Sequence, residues 1–143
     1  MSTKRRCYWK LVCVFLLTGM LLGCNDGPRV YPVQGKVVSK DGIAPRFGTV
    51  EFRSLTDGTV ASGIIDNDGS FSLTTKTPND GALVGEHEVI LVRFVNVEDG
   101  PIHTHGHAVE IPKRYASFST SDLRATVKAS KENPITITFD ADE

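Results

Sequence analysis

From residue 30 onward, apolar and polar side chains alternate with a period of two. That is the spacing of strands that bury one face, because successive Cβ atoms point to opposite sides of a sheet. Tyr31, Val33 and Val37 share a parity around Gly35. Val50 and Phe52 alternate with Thr49, Glu51 and Arg53. Val60 to Ile65 forms a third run, and Phe71 and Leu73 alternate with Ser70, Ser72 and Thr74. Val89 to Phe94 is apolar on both parities, as in a strand covered on both faces. Leu123, Ala125 and Val127 make the sixth run, and Ile135, Ile137 and Phe139 the seventh. No long segment carries a 3.6-residue period. Asp41-Gly42, Asp57-Gly58 and Asp68-Gly69 supply the positive φ of tight turns, and Asn79-Asp80-Gly81 marks a further loop. Asn133-Pro134 opens the last strand, where a missing N–H does little harm. The pattern predicts an all-β domain, a seven-stranded antiparallel β-sandwich with Greek-key connections. Asn96 to Ser121 is the least regular piece, and a loop of that length in a compact domain points to function.

The residues before this domain follow a different rule. Met1 to Lys10 holds Lys4, Arg5, Arg6 and Lys10 and no acid, Leu11 to Leu22 is almost wholly apolar, and Leu21-Leu22-Gly23-Cys24 follows. Charge, then a greasy run, then a small residue is the order of a secretory signal. The run is too short for a spanning helix, which needs about 20 apolar residues. With cysteine at the boundary, the segment resembles a bacterial lipoprotein signal. The resemblance implies that residues 1–23 are removed, that Cys24 receives a diacylglyceryl thioether, and that residues 24–29 form a lipidated cysteine and short tether. Asn25 to Arg29 reach less than about 20 Å, so the domain is expected close to a membrane of the cell envelope.

Removing the signal changes the composition. The chain has 16 Lys/Arg and 17 Asp/Glu, and four of the cations precede residue 24, so the remainder carries a formal charge of −5 rather than −1. That acidic balance argues against nucleic acid, which needs a basic footprint, and against a polybasic membrane patch. Cys7, Cys13 and Cys24 all lie at or before the boundary, so residues 25–143 have no disulfide to rely on and need an ordinary apolar core.

Gly35-Lys36-Val37, Gly48-Thr49-Val50-Glu51-Phe52 and Asp66-Asn67-Asp68-Gly69-Ser70-Phe71, in that order, resemble a carboxypeptidase regulatory-like domain. Gly81 to Val89 is similar to its next element, and Ile111-Pro112-Lys113-Arg114-Tyr115 with Thr120-Ser121 resembles the ending found in small bacterial lipoproteins of this group. The resemblance implies a transthyretin-like sandwich over residues 30–143, exposed in the envelope and without catalytic activity. It implies an accessory, adhesion or scaffold role, with an envelope protein or glycan as partner.

Three motifs bear on chemistry. His103, His105 and His107 alternate, and in an extended segment would share one face about 6–7 Å apart, a spacing suited to zinc or copper. Glu98, Asp99 and Glu110 flank them as candidate oxygen ligands or orienting groups. The competing reading is a solvated polar loop, since a short His-rich tract is compositional evidence. Metal binding by this loop is the alternative function. Asp66-Asn67-Asp68-Gly69 fails the calcium-loop pattern, because the sixth and twelfth positions are Phe71 and Thr77, and it is expected to be a turn. There is no Gly-x-Ser-x-Gly elbow and no phosphate-cradling glycine loop. His87 is expected to pack in a strand, and Tyr115, between Arg114 and Ala116, to plug one end of the sandwich. The chain therefore reads as a non-enzymatic, lipid-anchored binding or structural module.

Overall fold

The computed structural model describes residues 28–45, 47–93 and 109–141. Within them the chain forms β1 (Val30–Tyr31), β2 (Gln34–Ser39), β3 (Gly48–Ser54), β4 (Val60–Ile65), β5 (Ser70–Ser72), β6 (Ala82–Leu83), β7 (Gly85–Arg93), β8 (Arg124–Val127) and β9 (Pro134–Phe139). One 3₁₀ turn, Lys113–Ala116, is the helical element among the described residues. Strands at all seven expected positions are present. The four-stranded sheet has the order β4-β3-β7-β8, and the three-stranded sheet the order β5-β2-β9. Their alternate residues meet in one core. Val50, Phe52, Ile65, Val89, Leu91 and Val127 come from the first sheet, and Val37, Phe71, Ile137 and Phe139 from the second. This gives the molecule a sandwich-like, all-β architecture.

The first strand departs from expectation at Pro32. Proline has no N–H to donate, so the Tyr31-to-Val37 run splits there. Val30 and Tyr31 pair with Leu83 and Ala82 in a two-stranded ribbon, while Gln34 onward joins β5 and β9. The antiparallel expectation needs correction at one ladder: β2 and β9 run parallel over six residue pairs, from Gln34↔Pro134 to Ser39↔Phe139. The cause is the connection before β9. Asn133 Nδ2 donates to the carbonyls of Pro32 (3.1 Å), Lys128 (3.1 Å) and Ser130 (3.3 Å), and its Oδ1 accepts from Lys128 N–H (2.8 Å). This buried amide fixes a turn that carries the chain from the edge of one sheet to the other, where β9 starts beside the start of β2.

The β4–β5 connection is the turn expected at Asp66–Gly69. Gly69 N–H donates to Asp66 O and Asp66 N–H to Ser70 O, both at 2.8 Å, with Gly69 at φ +84°. Asp68 Oδ1 accepts from Ser70 Oγ (2.6 Å) and Ser70 N–H (3.0 Å), which hold its carboxyl below the usual range. Beyond the turn, Ser62 and Thr74 form an antiparallel bridge, so β4 and β5 stay adjacent while β5 turns its ladder toward β2. The two sheets are joined at this corner.

The ladders give the domain two distinct ends. Val30, Gln34, Ser54, Gly85, Val127 and Pro134 lie at the end where the chain enters. Ser39, Gly48, Ile65, Arg93 and Phe139 lie at the other.

Candidate functional site

At the end opposite chain entry, Arg93 closes β7 opposite Gly48, and Val109 bridges to Pro45. These two anchors bring Arg93 Nη1 to 2.6 Å from Glu110 Oε2. Ile111 follows and is buried, and the 3₁₀ turn after Pro112 drives Tyr115 into the core. The Tyr115 ring meets Phe139 edge-on with centroids 6.1 Å apart. Its hydroxyl accepts from Asp140 N–H (3.0 Å) and from Arg114 Nη2 (3.1 Å). The aromatic residue thus seals this end as expected, with its hydroxyl satisfied by the Asp140 backbone and the Arg114 side chain.

Between β7 and this turn lies a cleft of about 370 Å³. Leu91, Ile111, Pro112, Ala116 and Ala141 contribute apolar surface, and Arg93, Glu110 and Lys113 contribute charge. That is the composition of a modest recognition site: an apolar patch for burial, with a few charged groups to orient what binds. Among the described residues, no serine, cysteine or histidine lines it.

Cys24, His103, His105, His107, Glu98 and Asp99 lie outside the described residues. Glu110, expected to flank the histidines, is engaged by Arg93. Among the described residues no group of three or more His, Cys, Asp or Glu side chains could hold a metal ion. No described helix is long and apolar enough to cross a membrane.

His87 sits far from this cleft, near the entry end, opposite Ser54. It faces inward and is 1% exposed. Its Nδ1 is 3.1 Å from Gly85 O, and its ring lies 5.9 Å from that of Phe52. Burial holds the imidazole below its ordinary value, against the opposing pull of the Gly85 carbonyl and Asp57. As pH falls below about 6.5, the unfolded chain takes up a proton that the folded one refuses. Stability then declines toward acid by up to about 1.4 kcal/mol per pH unit until the folded-state value is reached. The depressed carboxylates Asp57, Asp68, Asp80 and Glu88 act in a separate window, below about pH 4. Denaturant titrations of His87→Leu should therefore show a flatter stability profile than the parent between pH 6.5 and 5. An unchanged slope would refute this origin.

A second cluster escaped sequence reasoning. On the outer face of the four-stranded sheet, Arg53 lies directly opposite Glu88, and Arg53 Nε donates to Glu88 Oε2 at 3.0 Å. Arg124 Nη2 approaches the other carboxylate oxygen at 3.5 Å, and the Arg53 guanidinium stacks 4.0 Å from the Phe118 ring centroid. The hydrogen bonds from Arg53, aided by the charge of Arg124, hold Glu88 below the usual carboxylate range. Strand register aligns Arg53, Glu88 and Arg124, and the segment before β8 adds Phe118, so no local motif announces the cluster.

Comparisons with protein-family models, curated proteins and solved structures gave no match.

Proposed function

We propose that this chain is a non-enzymatic lipoprotein of the bacterial envelope, serving as a binding or structural module at a membrane surface. Residues 1–23 act as its signal peptide and Cys24 as its acylated N-terminus. The carrying observation is the Leu21-Leu22-Gly23-Cys24 boundary, six residues before the first strand at Val30. Two or more acyl chains on one residue give stable anchoring, where a single chain gives marginal binding. The finer fold we assign is the seven-stranded Greek-key, transthyretin-like sandwich of a carboxypeptidase regulatory-like domain. It is supported by a chain that changes sheet at β2→β3, β4→β5, β5→β7 and β8→β9, leaving β3–β4 and β7–β8 as in-sheet pairs. A rigid frame of this kind presents end loops for recognition, and the Arg93–Glu110 cleft is the surface we assign to a partner.

The test is direct. Mass spectrometry of the native protein should find a mature chain beginning at acylated Cys24, and Cys24→Ser should shift it from the membrane to the soluble fraction by at least tenfold. An unmodified protein retaining residues 1–23 would refute the reading.

A further inference from the structure

We infer that the entry end of the sandwich, through an apolar lip formed by Leu55 and Val84, rests against the bilayer and holds the Arg93–Glu110 cleft away from it. The inference rests on the acylation of Cys24 and adds an orientation that the anchor alone does not dictate. Its first support is where the chain enters. Val30 pairs with Leu83, so the tether joins the domain one residue from Val84. Leu55 N–H donates to Glu86 O at 3.0 Å, which sets the β3–β4 loop beside the same corner. Leu55 is 53% exposed and Val84 46%, although both are large apolar side chains.

The second support is length. Cys24 to Val30 is six Cα steps, about 20 Å at full extension. β7 runs from Gly85 at the entry end to Arg93 at the cleft, eight steps or about 26 Å at the rise of a strand. A cysteine held in the bilayer therefore cannot hold the domain upright with its cleft end down, because Val30 would then stand about 26 Å above the surface. Exposed apolar residues also occur at the far end, where Phe47 and Ile64 lie, but they meet the bilayer only if the domain tips onto its side. Leu55 and Val84 lie beside the point of chain entry, and with the domain upright they gain from contact with hydrocarbon. The cations near this end, Arg29, Lys76, Lys128 and Lys131, are matched in number by Asp57, Asp80, Glu86 and Glu132, so the occupant is a lipid surface met by apolar contact and not by charge.

The sole tryptophan, Trp9, lies before Cys24, so the mature chain is a blank background for this probe. Leu55→Trp, Val84→Trp and Ile64→Trp should each be prepared as the acylated mature protein on phosphatidylcholine vesicles with bromine in the acyl chains. Flotation and mass spectrometry establish the anchor for every variant. The expected result is emission from the Leu55→Trp and Val84→Trp proteins quenched at least threefold more than that from Ile64→Trp. Equal quenching at the three sites, or none in protein that floats and carries its lipid, overturns the orientation and leaves the anchor standing. Protein that carries no lipid and does not float overturns both. The three sites are exposed, so each substitution is accommodated without repacking. Circular dichroism before reconstitution confirms folding.

Discussion

Phe52→Ala is expected to lower the stability of the domain by about 3–5 kcal/mol, the range for emptying a buried aromatic position. Phe52 is fully buried at the centre of β3, flanked by β4 at Ala61 and by β7 at Val89. Its ring lies 6.0 Å from Phe71 of the opposing sheet and 5.9 Å from His87 of its own. It is therefore a contact between layers, and neither sheet can close the space alone. With no disulfide after Cys24, a domain of this size has about 5–15 kcal/mol in total. The substitution should lower Tm by about 10–20 °C. A second readout distinguishes a cavity from general loosening. Water admitted beside His87 should raise its pKa toward the ordinary imidazole value, measurable by NMR titration. A variant within 1 kcal/mol of the parent would show that the sheets do not depend on this contact.

Gly35→Ala should cost about 3 kcal/mol, the upper part of the range for an overpacked core. Gly35 is the central residue of the three-stranded sheet, opposite Phe71 on one side and Ile135 on the other. A methyl group there would fall inside contact distance of the Ile135 carbonyl oxygen and 2.7 Å from Phe71 Cε1. The Phe71 ring folds across the bare backbone on its way to Phe52, so the glycine makes room for the inter-sheet contact. Moving the carbonyl would break the parallel ladder, and moving the ring would break the core. Lys36→Ala, one residue on and exposed, should stay within about 0.5 kcal/mol. Chemical denaturation of both variants checks the difference, and equal midpoints would refute it.

Those two residues also show what could be read from the chain. The alternation around Val50–Phe52 and Val60–Ile65 predicts β3 and β4 because period two is a local property, and β4 spans the predicted residues. The Asp68-Gly69 turn follows from its own backbone requirements. Pairing is not local. Ile135 lies 100 residues from Gly35, and nothing in either segment states that the two run parallel. The β1–β6 ribbon is too short, at two residues each, for any period to register. Ile90, buried beside Val89 and Leu91, agrees with an apolar run read as covered on both faces. The cleft shows the same division. Ile111 to Tyr115 stood out as a motif, but its neighbour across the ion pair, Arg93, belongs to another strand. Arg53, Glu88, Phe118 and Arg124 converge only once the register is known. Cys24 and the three loop histidines remain readings of sequence, carried by spacing and flanking residues.

The parallel ladder between β2 and β9 has a consequence for how the chain is made. It joins one of the first strands to the last across 100 residues, and β2 forms the middle of its sheet. Until β9 emerges, β2 has only the three-residue β5 beside it, and Ile137 and Phe139 are missing from the core. Loop closure over such a separation comes before any reward from contacts, which makes folding slow. Under the export we propose, a nascent chain would benefit from that delay: it would stay threadable while its leading end crosses, and lock only when its last strand has followed.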